Sequence, residues 1–276
     1  MKKLWGIIAG TLLASSVLLT ACGSSETAGN ADQTKQINFG ATAGPFTDMV
    51  KNGIAPLLEK KGYTVKVTEF SDYIQPNLTL AEGSIDANLF QNEIYLTNFS
   101  RDKNLDLTGI IKVPTGPMGI YSKKFKAIEE VADGASVSIP NDPTNLARAL
   151  VVLQQAGLIT VKKDADPIKI SEKDIVENKK KLVITPVEAA QLPRAVDSQD
   201  LSLVPGNFAL AAKMDLKSAL VLENMPEHYL NLVAVRTADK DKQFVKDMKE
   251  VIESPEFEAF IDKEFSSFFK PQWMKQ

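Results

Sequence analysis

Two residues three positions apart offer the clearest chemistry in this chain. Asn145 and Arg148 fall in the run Asn141-Asp142-Pro143-Thr144-Asn145-Leu146-Ala147-Arg148. Asp142 suits a helix cap there, and Pro143 suits the first helical position. A helix starting at that point turns free backbone N–H groups and the positive end of its dipole outward, and both favour an anion such as a carboxylate. The spacing puts Asn145 and Arg148 on one helix face, and a guanidinium can grip a carboxylate through two parallel hydrogen bonds. The same residues fit equally well a capped helix carrying an idle surface arginine. A second group is aromatic. Tyr73, Phe90 and Tyr95 each stand near the C-terminal end of an expected strand, where open α/β sheets take their ligands. Such rings suit a thioether or another apolar group; they also suit an ordinary core.

Covalent chemistry finds no support. The chain has one histidine, His228, after Pro226-Glu227 in an expected loop, and one cysteine, Cys22. It has no G-x-S-x-G elbow, no G-x-x-x-x-G-K-[ST] phosphate loop and no G-x-G-x-x-G. One histidine cannot supply a histidine-built zinc or manganese site. The expectation is a binding protein and not an enzyme, with no cofactor and no metal.

The N-terminus assigns a compartment. Met1-Lys2-Lys3 precedes an apolar run from Leu4 to Leu19, the charged and apolar regions of a secretory signal peptide. Gly6, Gly10, Thr11, Ser15 and Ser16 interrupt that run, which is short for a permanent span of roughly 20 apolar residues. Leu19-Thr20-Ala21-Cys22 then resembles a bacterial lipobox. Residues 1–21 are expected to be removed and the Cys22 thiol to carry lipid, anchoring the protein to the bilayer at the extracytoplasmic face of the cell membrane. Several acyl chains hold a protein firmly where one holds it marginally. Residues 22–36 are small and polar and read as a flexible tether. Removing residues 1–21 takes away two lysines and no acid, moving the formal charge from −3 to −5. A modestly acidic body argues against a nucleic-acid partner.

The elements that must position these side chains alternate. Strands are expected at 37–41, 63–70, 85–90 and 107–113, with helices over 46–58, 73–80 and 93–103, the rhythm of a doubly wound α/β sheet. After Pro114 the spacing predicts short strands at 118–121, 135–139, 182–185 and 202–204. Helices are expected at 127–132, from Pro143 to Gly157, and at 187–192. A strand at 231–235, a helix around 244–252 and an aromatic helix over 257–269 close the chain. The organisation is α/β with two lobes, residues 37–113 plus 231–276 and residues 114–230. A chain crossing twice between lobes builds a cleft, a favoured place for a small ligand.

Five segments carry a family resemblance: FSDYIQPNLTLAEGSIDANLFQ, SIPNDPTNLARALVVLQQAGLI, VEAAQLPRAVD, PGNFAL and YLNLVAVR. In order, they resemble motifs of the methionine-binding lipoproteins of ABC importers, over essentially the whole mature chain. The resemblance implies a two-lobed type II periplasmic-binding-protein-like fold that takes L-methionine, or a related small amino acid, and passes it to a membrane permease; a monomer is expected. The family's aromatic pocket falls on Tyr73, Phe90 and Tyr95. Its contacts to the amino and carboxylate groups fall on Asn145, Arg148, Asn207 and Asn231, with Arg148 on the carboxylate. Two departures stand out. The family often has Phe-Gln-His-x-Pro-Tyr where this chain has Phe90-Gln91-Asn92-Glu93-Ile94-Tyr95, so Asn92 replaces a pocket histidine and Ile94 a proline. Pro205-Gly206-Asn207-Phe208 replaces the commoner Asn-Gly-Asn-Tyr. Asn92 and Ile94 leave open another amino acid or a methionine-containing dipeptide as ligand; an alternative of a different class is a surface adhesin or scaffold that kept the fold and lost transport.

Overall fold

The computed structural model describes residues 35–275; the leader, Cys22 and residues 22–34 of the expected tether lie outside them. Lys35 and Gln36, read as the end of the tether, already belong to the first strand. β1 (Lys35–Thr42) buries Ile37, Phe39 and Ala41. α1 (Pro45–Asp48) runs through a wider π turn at Met49–Ile54 into α2 (Ala55–Glu59), and β2 (Tyr63–Phe70) returns parallel to β1. α3 (Gln75–Ala81) leads to β3 (Ala87–Asn92), α4 (Glu93–Lys103) and β4 (Leu107–Lys112).

Every residue of β3 is buried, including Asn88, Gln91 and Asn92. Buried amides need partners, and these find one another. Asn77 Nδ2 donates to Gln91 Oε1 at 2.7 Å, Gln91 Nε2 donates to Asn77 Oδ1 at 2.7 Å, and Asn88 Nδ2 donates to Asn77 Oδ1 at 2.9 Å. The network ties α3 to β3 and so fixes the segment bearing Tyr73 against the strand bearing Phe90.

The second sheet begins with β5 (Gly119–Tyr121) and β6 (Ser136–Pro140). α5 (Pro143–Gln155) follows, capped by Asp142, and buries Leu146, Leu150 and Leu153. β7 (Thr160–Val161) and β8 (Ile175–Glu177) form a small hairpin. Then come β9 (Val183–Val187), α6 (Leu192–Ala195), β10 (Leu201–Val204), α7 (Gly206–Ala211) and β11 (Val221–Leu222). β12 (Asn231–Arg236), α8 (Gln243–Ile252) and α9 (Pro255–Glu264) complete the chain.

The first sheet has the order β2-β1-β3-β12-β4, with β12 antiparallel to both neighbours; the second has the order β11-β5-β10-β6-β9. Two lobes result, each with its own apolar cluster. The helix expected over 127–132 is a single 3-10 turn at Ile128–Glu130. The one expected over 187–192 gives way to strand as far as Val187, a 3-10 turn, and then α6, with Pro193 in its first turn. The terminal helix ends at Glu264 and not at Phe269.

Two segments cross between the lobes, 113–118 and 223–230, and the first is bound both to the second and to the start of β12. Val113 N donates to Asn231 O at 2.8 Å, Asn231 N donates to Thr115 Oγ1 at 2.8 Å, and Glu223 N donates to Met118 O at 2.9 Å. The C-terminal tail adds a latch, with Thr115 and Phe269 exchanging backbone hydrogen bonds at 3.1 and 3.0 Å. Gly206 packs directly on this crossing: a Cβ there would lie 2.5 Å from Pro117 O and 2.9 Å from Gly116 C. Both are backbone atoms and cannot swing away. Gly206→Ala is therefore expected to destabilise the protein by about 1–3 kcal/mol, the usual cost of overpacking. Denaturant unfolding checks this; an unchanged midpoint would show that the crossing yields.

Candidate ligand-binding site

The eight singled-out residues come from six places in the chain. Tyr73 precedes α3, Phe90 and Asn92 end β3, and Tyr95 lies in the first turn of α4. Asn145 and Arg148 occupy the first turns of α5, Asn207 opens α7 and Asn231 opens β12. All eight line one cavity between the lobes.

One end is aromatic. The Tyr73 ring centre lies 5.8 Å from that of Phe90, 6.0 Å from Tyr95 and 4.8 Å from Phe208. The two hydroxyls are spent within the protein. Tyr95 OH donates to Tyr73 O at 2.8 Å, and Tyr73 OH donates across the cleft to Asn207 Oδ1 at 2.7 Å. Burial pushes both phenols well above their usual range, so they stay neutral. What the wall offers a ligand is mainly ring surface.

The other end is polar, and each amide is turned by a single neighbour. Asn207 spends its Oδ1 on Tyr73, and its buried Nδ2 has no partner among the described residues. Asn231 Nδ2 donates to Phe90 O at 2.8 Å, leaving Oδ1 to accept. Asn145 Nδ2 donates to both Asp142 oxygens, at 3.2 and 3.1 Å, again leaving Oδ1. Among the described residues, Asn207 Nδ2 is thus left as a donor, and Asn145 Oδ1 and Asn231 Oδ1 as acceptors.

Arg148 lines the cavity as well. It is not an exposed side chain, being 4% accessible, and its fork is not wholly free. Nε donates to Glu223 Oε1 at 2.7 Å and Nη2 donates to Glu223 Oε2 at 2.5 Å. Met225 Sδ lies 3.2 Å from Nη2, and the Tyr229 ring centre lies 5.2 Å from the guanidinium carbon. Burial alone would lower the Arg148 pKa, but the charge and hydrogen bonds of Glu223 outweigh it and hold the pKa above its usual value. Among the described residues, Nη1 alone of its nitrogens has no partner. The Nε–Nη2 edge of the fork is taken by Glu223.

The NlpA lipoprotein family matches residues 37–273. The chain belongs to the NlpA lipoprotein family. The D-methionine-binding lipoprotein MetQ of Salmonella typhi is 35% identical over 264 residues, covering 95% of each chain. A nutrient-binding protein of Burkholderia cenocepacia, solved bound to methionine, is 39% identical. It superposes with a TM-score of 0.80 over 85% of this chain and 99% of its own. An ABC-transporter periplasmic substrate-binding protein of Coxiella burnetii is 36% identical, with a TM-score of 0.79 over 85% and 99%. The two-lobed α/β fold is that of these binding proteins.

Within this NlpA-family site, the two departures in the aromatic motif have structural homes. Asn92 caps α4, its Oδ1 accepting from Tyr95 N at 2.9 Å, so an asparagine there locks the helix that carries Tyr95. Ile94 faces away from the cavity and packs with Met225, Tyr229 and Leu230. Glu223 escaped the sequence reading because its partner lies 75 residues away; the only signal was an acid directly after the apolar pair Val221-Leu222.

Asp142 orients Asn145 at a cost. Asp142 is half-buried, and the desolvation of its carboxylate raises its pKa despite the hydrogen bonds from Asn145. A raised acid pKa means that the native state holds the proton more tightly than the unfolded chain. The contribution to stability is present at low pH and lost as pH rises through the folded value. Asp142→Asn keeps a capping oxygen and removes the desolvated charge. Its melting temperature is expected to equal or exceed that of the unsubstituted protein near neutral pH, the gap closing towards about pH 4. Thermal unfolding across that range checks this; a clearly lower midpoint at neutral pH contradicts it.

Proposed function

We propose that this protein is a lipid-anchored receptor on the extracytoplasmic face of the membrane, which captures methionine in the interlobe cleft and hands it to an ABC importer. The observation that carries the reading is the pattern of unspent polar atoms. Arg148 Nη1 and Asn207 Nδ2 are donors suited to a carboxylate. Asn145 Oδ1 and Asn231 Oδ1 are acceptors suited to an ammonium. An α-amino acid zwitterion complements such a set, and thioether sulfur is favourable against the rings of Tyr73, Phe90 and Tyr95. The named specificity of the Salmonella relative and the ligand of the Burkholderia structure support the same choice. Lipid on Cys22 would keep the receptor beside the permease.

The test uses residues 23–276, unfolded and refolded to strip ligand, then titrated with L- and D-methionine by calorimetry. One site per chain is expected. Arg148→Ala alone would strand the Glu223 carboxylate in the interior, which is strongly destabilising. The cleaner variant is R148M/E223Q, which removes the cationic partner without leaving a buried charge. Its affinity is expected to fall at least about tenfold, the scale of a lost hydrogen bond to a charged group. A folded double variant within about twofold of the original would remove Arg148 from the site.

A further inference from the structure

Glu223 does not face a ligand directly, yet it is built into the site. It is 3% accessible, and its carboxylate accepts three hydrogen bonds: two from Arg148 and one from Met118 N at 3.0 Å. Its own N–H donates to Met118 O at 2.9 Å. One acid therefore joins the two crossing segments to α5 and cancels the charge of Arg148 behind the cavity wall.

That cancellation has a consequence for what the cleft will hold. A buried guanidinium without a counter-charge would attract any carboxylate and repel any ammonium, strongly, because little water screens either interaction. With Glu223 in place, the Arg148 edge still donates hydrogen bonds but contributes no net charge. The ammonium end is then served by the neutral acceptors Asn145 and Asn231 without opposition. Asp142 lies behind Asn145; it stays the same in each variant below and drops out of their comparison.

We propose that Glu223 is a specificity-determining residue that makes the cleft select a zwitterion over a simple carboxylate of the same shape, by neutralising and orienting Arg148. The proposal rests on the methionine reading above. It concerns a charge preference, which a merely structural acid would not set.

The experiment measures the affinities of the unsubstituted protein, E223Q and E223D for L-methionine and for 4-(methylthio)butanoate, which has the same side chain and carboxylate but no ammonium. The unsubstituted protein is expected to prefer methionine by at least about tenfold. E223Q keeps the shape and removes the charge, so the preference should shift towards the anion by at least about tenfold. E223D keeps the charge, so the preference should stay within about threefold of the original whatever happens to absolute affinity. If E223Q weakens both ligands equally, or changes neither, Glu223 is only structural and the proposal is overturned. If E223Q does not fold, the unsubstituted protein decides: the anion bound as tightly as methionine overturns the proposal, and the tenfold preference supports it. Unsubstituted protein that binds no methionine overturns the functional reading and this inference together, whereas tight methionine binding with an unmoved E223Q ratio overturns this inference alone.

Discussion

A guanidinium that is 4% accessible to water must have an anion beside it, because an unpaired buried charge costs several kcal/mol or neutralises itself. Arg148 meets that requirement through Glu223, and much of the cleft follows. The pair holds α5 of one lobe to the return segment. Through Met118 it holds that segment to the outgoing one. It also decides which edge of the arginine faces the cavity. The same desolvation acts on each amide around it. Asn145, Asn207 and Asn231 each spend one atom on a fixed neighbour and are left with one atom of known polarity.

The scaffold serves this economy of polar groups. The buried amide network of Asn77, Asn88 and Gln91 sets α3 on β3, which places Tyr73 near Phe90. Asn92 caps α4 and places Tyr95. The hydrogen bond from Tyr73 to Asn207 then spans the cleft, so the aromatic wall of one lobe orients a polar group of the other. Close approach at Gly206 lets α7 sit against the crossing segments at all. Shape at the aromatic end and polarity at the other are thus settled by interactions the protein makes with itself.

Much of this was legible in the sequence, for reasons that can be named. The cap and proline at Asp142-Pro143 mark the start of α5, and a spacing of three put Asn145 and Arg148 together. Alternation and helical spacing located β3 and α4, which carry Phe90 and Tyr95, and the helix expected from Tyr73, which begins two residues later at Gln75. Lone asparagines have no spacing signal, so Asn92, Asn207 and Asn231 entered only through family resemblance. α7 is six residues long and opens with Pro205-Gly206, which reads as a turn. The β7–β8 hairpin is too short to show a period. Glu223 stayed hidden because ion pairing across 75 residues is a tertiary fact. That omission also gave the whole Arg148 fork to the ligand, where the structure leaves only one edge.

The most direct test of this account is a crystal structure of the refolded protein with methionine bound. The account requires carboxylate oxygens on Arg148 Nη1 and Asn207 Nδ2, the ammonium on Oδ1 of Asn145 and Asn231, and the thioether among Tyr73, Phe90 and Tyr95, with the Arg148–Glu223 pair intact. A ligand turned end for end, or Glu223 displaced so that the ligand takes the Nε–Nη2 edge, would contradict it.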